Sequence, residues 1–201
     1  MQETNYLKDI TEIRSIMERS SRFISLSGLS GVMAGVYALI GAYVAQQIIE
    51  DYHAGVYAES QQVLAYLLLD AAAVLLLAVG TGFVLTTRRA QAQGQTIWDK
   101  SARRLLINLL IPLVTGGVFT LILIFRGLPG IVAPSMLIFY GLALVNASKY
   151  TLSDIRYLGF AEIALGLLAA TLVGYGLVIW AIGFGVLHIV YGTVMYYQHE
   201  R

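Results

Sequence analysis

Residues 158–197 read LGFAEIALGLLAATLVGYGLVIWAIGFGVLHIVYGTVMYY. This run holds no Lys, Arg or Asp; it is too long for one bilayer crossing and suits two. Glycine takes turn conformations that other residues resist, so Gly174, Tyr175 and Gly176 mark the reversal between two membrane helices. Glu162 and His188 each lie 13 residues from Tyr175. In an antiparallel hairpin that places both at one depth, about 20 Å from the turn at 1.5 Å rise per residue. Each is flanked by glycine at i−3 and i+4: Gly159 and Gly166 around Glu162, Gly185 and Gly192 around His188. The two side chains are expected to face each other.

The rest of the chain has the same character. Hydrophobic residues make up 58% of the 201 and charged residues only 12%, against about 25% charged in a soluble domain. The chain therefore reads as an integral membrane protein, and the lipid bilayer is its first partner. A net charge of +1 gives no reason to expect nucleic acid. The absence of cysteine excludes disulfides, thiolate metal sites and cysteine catalysis. The opening residues are polar and lack the apolar core of a secretory signal.

Six apolar segments are read, at about 23–48, 63–86, 105–125, 130–147, 157–174 and 177–197. Lipid offers the backbone no hydrogen-bond partner, so each is predicted to be a helix. The fold class is all-α: six transmembrane helices as three hairpins (residues 23–201), preceded by an amphipathic helix over residues 1–22. Of the 13 Lys and Arg, all but Arg126 fall on one side of this arrangement. Positive residues stay in the cytoplasm, which predicts a multi-pass protein of the bacterial inner (plasma) membrane with both termini inside. The N-terminal stripe Tyr6, Ile10, Ile13, Met17 and Ile24 suits a helix lying on the membrane surface or docking on a partner.

Small residues mark helix contacts. Ser27, Gly31 and Gly35 form small-xxx-small steps on span 1, a face expected to pack on another helix within the chain or in an oligomer. Thr151 with Asp154 fits a capping box opening span 5, and Pro112 is expected to kink span 3. Asp70 in span 2 is a functional candidate by default, with Arg126 as its candidate partner. The loop carrying Glu50, Asp51, His53 and Glu59 reads as solvated, and no metal is expected.

Asn108, Asn146, Glu162 and His188 come from four helices and share the cytoplasmic half, with Tyr191 one turn from His188 and Tyr140 able to join from span 4. Two readings are open. The set is a hydrogen-bonded clamp that fixes helix packing, or a protonatable cavity facing the cytoplasm that carries a proton or holds a ligand.

Other chemistries lack their residues. His188 is the sole intramembrane histidine, which argues against a haem ligand pair. No span carries a lysine for a Schiff base, and there is no Walker sequence, dinucleotide fingerprint or H-E-x-x-H. No cofactor is expected. Residues 28–31 read GLSG, which is similar to the serine motif of rhomboid intramembrane proteases, also six-span and with a histidine on the sixth span. Ser30 falls on span 1 and at the wrong depth for that family, so a Ser30/His188 serine hydrolase is the remote alternative.

The run YGLALVNASKYTLSDIRYLGFAEIALGLL followed by GYGLVIWAIGFGVLHIVYG, with ERSSRFISLSGLSG at the entry of span 1, resembles a family of small six-span bacterial membrane proteins without an assigned activity. The resemblance implies the same architecture and no site. Two function classes remain: a transport, permeation or ligand-binding bundle centred on Glu162 and His188, or a non-catalytic scaffold or regulatory subunit. The scaffold would bind a second copy or another membrane protein through the N-terminal helix and the glycine faces.

Overall fold

The computed structural model describes residues 27–57, 59–92, 94 and 100–200. The predicted N-terminal amphipathic helix lies outside them. The described residues are almost all helical, joined by short turns, with no strand among them. The main helices are α1 (Gly28–His53), α2 (Ser60–Ala92), α3 (Lys100–Phe125), α4 (Val132–Ala147), α5 (Asp154–Thr171) and α6 (Gly176–His199). Within α6, residues Ala181–Leu187 are π-helical.

Helices α1, α2, α3 and α6, together with the stretch Pro129–Tyr150 that contains α4, are long and apolar enough to cross a membrane. Helix α5 has 18 residues and carries Asp154, Arg156 and Glu162. The chain is thus a helical, multi-pass membrane protein.

The helices begin and end where local chemistry dictates. Helix α2 runs past the apolar segment into Thr86–Ala92, since helical hydrogen bonds need no lipid. Helix α5 stops at Thr171, earlier than its apolar pattern. Gly174 then takes φ +92°, and Tyr175 N donates to Leu172 O at 3.2 Å to close the turn. That left-handed conformation is the one glycine tolerates. At its other end α5 opens directly at Asp154, after Ser153. The Ser153 side chain makes no cap bond. Asp154 puts its charge in the first turn, against the positive end of the helix dipole.

Helix α1 packs between α2 and α6, and α4 packs between α3 and α5; the first part of α6 joins the two groups by resting on α4 and α5. A small apolar core of Leu137, Ala169 and Ile179 lies at that junction, flanked by Leu165, Trp180 and Phe184. On α2, Leu69, Leu75, Leu76 and Phe83 face outward, as Ile111, Val114 and Ile122 do on α3. These are the surfaces that lipid must cover.

Backbones meet at glycine in both antiparallel pairs. Gly31 and Gly35 lie against Gly192, Gly185 and Ile189 of α6, and Gly141 of α4 lies against Gly159 and Ile163 of α5. The glycines around Glu162 and His188 thus do not line the interface between α5 and α6. Gly159 and Gly166 face α4, while Gly185 and Gly192 face α1. Each helix turns its smooth side to a third helix, leaving Glu162 and His188 on the sides that meet.

A methyl group on Gly192 would stand 2.5 Å from Val32 N and 2.6 Å from Gly28 O, whereas one on Gly80 would meet nothing within 4 Å. Gly192→Ala is expected to destabilise the fold by about 1–3 kcal/mol through overpacking. Gly80→Ala should be neutral or stabilising by up to about 1 kcal/mol. Reversible unfolding in mixed micelles compares the two, and equal effects would contradict the close α1–α6 contact.

Candidate functional site: a buried tyrosine–histidine–glutamate centre

The π-helical turn Ala181–Leu187 sets the geometry of the site. A π turn widens the helix, and such turns recur at functional positions. Here His188, just beyond it, reaches back across five residues, and its Nδ1 lies 3.0 Å from the Gly183 carbonyl oxygen. A carbonyl can only accept, so Nδ1 carries the hydrogen and donates. That leaves Nε2 of the neutral ring as an acceptor, 2.7 Å from the Tyr140 hydroxyl of α4, which donates to it. The ring is held from both sides, and the tautomer follows from its partners.

Glu162 approaches from α5. Its Oε1 stands 3.5 Å from His188 Nδ1, close enough for an ion pair, but the Nδ1 hydrogen points to Gly183. Neither carboxyl oxygen of Glu162 has a hydrogen-bond partner, although the residue is 0% exposed. Gly183 has no side chain to spare here. A methyl on it would lie 2.6 Å from both Glu162 Oε2 and Leu137 Cδ2. Burying a carboxyl group without a donor is costly, and native structures hold few such groups.

Aromatic rings continue the site along α6. Trp180 and Phe184 have centroids 4.9 Å apart; Phe184 stacks on His188 at 5.8 Å with 9° between planes. Tyr140 touches both, at 4.8 Å from Phe184 and 5.3 Å from His188. Trp180 Nε1 is also buried without a partner.

Asn108 and Asn146 meet each other elsewhere, between α3 and α4. Asn146 Nδ2 donates to Asn108 O at 2.9 Å and lies 3.3 Å from Asn108 Oδ1, while Asn108 Nδ2 donates to Arg104 O at 2.8 Å. Pro112 explains the first bond. Proline lacks the N–H that the carbonyl four residues earlier requires, and that carbonyl belongs to Asn108. Asn146 supplies the missing donor from the neighbouring helix, so α3 continues through Pro112. The four polar residues predicted as one centre therefore form two separate groups, and only Glu162 and His188 share one. Tyr191 is half-buried and, among the described residues, makes no hydrogen bond to His188; Tyr140 holds the place beside the ring.

Asp70 faces α1, where its carboxylate would lie 3.5 Å from a methyl on Gly41. Arg126 is exposed on the connection between α3 and α4. The two do not pair, because the helix that α2 packs on is α1. Ser30 and His188 are likewise not brought together. The Ser30 hydroxyl donates to Ser27 O, and both imidazole nitrogens are engaged by Tyr140 and Gly183. No group of three or more potential metal ligands exists among the described residues.

Sequence reasoning missed one polar junction. The Glu200 carboxylate accepts from Gly28 N at the start of α1 and from Arg89 of α2 at 2.8 Å; Arg89 also donates to His199 O at 2.7 Å. An acceptor at a helix start and a basic residue are the ingredients. Their meeting depends on α1, α2 and α6 converging, which no spacing along the chain reveals.

Comparisons with protein-family models, with curated proteins and with solved structures gave no match.

Asn146→Ala is expected to cost about 1–2 kcal/mol of stability, because Asn108 O loses its donor. In a Pro112→Ala background the restored backbone N–H serves that carbonyl, and the same change should cost about 1 kcal/mol less. A double-mutant cycle by unfolding in micelles measures the coupling; zero coupling would contradict the pairing of Asn146 with the proline gap.

Proposed function

We propose that the chain is a small permeation or ligand-binding bundle of a bacterial plasma membrane, with Glu162, His188 and Tyr140 as a protonatable centre. The observation that carries this reading is Glu162 itself: fully buried, with neither oxygen bonded, and 3.5 Å from His188 Nδ1. Ionisable residues inside a membrane are expensive and mark ion, proton or substrate paths by default. A pair kept only to hold helices together would gain from a direct hydrogen bond, as Asn146 and Asn108 do.

The three groups can pass a proton in balanced steps. A proton accepted at Nε2 makes an imidazolium, and its Nδ1 hydrogen then moves to a Glu162 carboxylate oxygen. The ring is left neutral with the opposite tautomer, and the carboxylate has become the acid. Resetting the tautomer takes a second proton at Nδ1 and releases the one on Nε2, with water admitted to the site as the carrier.

Six crossings and a cytoplasmic location of both termini belong to this proposal. At 1.5 Å per residue α5 is about 27 Å long, enough for a crossing with slight thinning of the bilayer. Its Asp154 and Arg156 sit in its first turn, at the end where α1 begins and α6 finishes. That end also holds Arg89, Lys100, Arg103, Arg104 and Lys149, while Arg126 stands alone at the other, as the positive-inside rule requires.

The complete burial of Glu162 favours a second reading: a non-catalytic scaffold or regulatory subunit in which the centre is a packing element. The outer faces of α2 and α3 would then take a second copy or another membrane protein.

The readings separate in proteoliposomes under an imposed proton gradient. Wild-type protein is expected to carry a proton or proton-coupled flux that Glu162→Gln lowers at least about tenfold, with assembly of the variant unchanged in detergent. Absence of flux in the wild type, with assembly lost in the variant, would leave the scaffold.

A further inference from the structure

We propose that Glu162 and the aromatic face beside it form a binding site for a protonated amine with an apolar body. This assignment rests on the reading of Glu162 as a centre with an exchangeable occupant, and it names the chemistry of that occupant.

Two polar groups here lack opposite partners. Both oxygens of Glu162, beside Gly183, have no donor, and Trp180 Nε1, three residues before Gly183, has no acceptor. Trp180, Phe184 and His188 follow one another at four-residue steps, so they share a face of α6 that spans about 12 Å. Tyr140 closes that face from α4, and Leu137 and Leu165 complete an apolar surround.

An ammonium head has three N–H donors. Two satisfy the Glu162 oxygens and the third meets the free lone pairs of the Tyr140 hydroxyl or a ring face. Aromatic faces attract cations, more so where water is excluded. The apolar body lies along Phe184 and Trp180, and an acceptor carried on it would meet the indole N–H. Anions are opposed by the carboxylate. Hard metal cations want shells of oxygen ligands, whereas these walls are rings. In the present conformation the rings fill the site, so an occupant enters between α5 and α6 as Phe184 shifts. The glycine contacts of these two helices go mainly to α4 and α1, which leaves their mutual seam the freer to part.

The sequence offers a reporter, since its two tryptophans are Trp98 and Trp180. The full chain carrying Trp98→Phe, in detergent at neutral pH, is titrated with benzylamine and with benzyl alcohol, which has the same shape and no charge. Benzylamine is expected to change Trp180 emission saturably and to bind at least about tenfold more tightly than the alcohol. Added Glu162→Gln should reduce benzylamine to the alcohol's level, and the chain with Trp180→Phe alone reports non-specific quenching at Trp98. Equal binding of amine and alcohol overturns the assignment, and this comparison needs no variant at Glu162 to fold. Glu162-dependent proton flux without amine preference removes the amine site and leaves the proton reading; amine preference without flux supports the site and removes the flux.

Discussion

Two pairs of antiparallel helices meet backbone to backbone, and the rest of the bundle depends on those contacts. Gly31 and Gly35 of α1 lie against Gly185 and Gly192 of α6, and Gly141 of α4 against Gly159 of α5. In hydrocarbon there is little hydrophobic gain from bringing helices together, since lipid tails are as apolar as leucine. Close approach then has to come from dense packing, and packing density is highest where side chains are absent. With α6 held to α1 and α5 held to α4, the faces of α5 and α6 that carry Glu162 and His188 are left to meet each other and the Tyr140 side of α4.

The same solvent makes polar bookkeeping strict, and among the described residues only Thr120 Oγ1, Trp180 Nε1 and the two oxygens of Glu162 are buried without a partner. The carbonyl freed by Pro112 is served by Asn146, Thr115 and Thr193 return their hydroxyls to carbonyls of their own helices, and Tyr37 pairs with Thr81 across α1 and α2. Even the start of α1 has an acceptor in Glu200. Glu162, the most completely enclosed carboxyl group among the described residues, has no donor. Glu162 stands apart among these groups because both oxygens of one buried carboxyl group are bare. The π turn sharpens the contrast, for it commits His188 Nδ1 to Gly183 and so withholds from Glu162 the donor nearest to it.

Glu200 and Arg89 tie the opposite flank. One carboxylate accepts from the start of α1 and from the end of α2, while its own helix contributes His199 O to Arg89. The backbone groups left over at two helix ends, the Gly28 N–H and the His199 carbonyl, thereby find partners at a single junction. The centre around Glu162 lies deeper along the same helix, so α6 is anchored at its end and along its glycine side while its aromatic side faces the centre.

Much of this was readable along the chain because it is local. Apolar runs between 130–147 and 177–197 show their helices by length, since a backbone in lipid has one economical conformation. The Gly174 turn, the asymmetry of Lys and Arg, and the equal spacing of Glu162 and His188 from Tyr175 are likewise properties of sequence distance. What could not be read was which helix each face would choose. The glycines around Glu162 and His188 suit any close partner, and only the assembled bundle sends them to α4 and α1. Asn108 shares a depth with Glu162, yet Pro112 and the position of α3 bind it to Asn146. The hydrogen bond from Tyr140 to His188, the π turn that aims the ring, and Glu200 at the start of α1 came from tertiary structure alone. Depth follows from counting residues along one helix; azimuth and register between helices depend on how several surfaces pack at once.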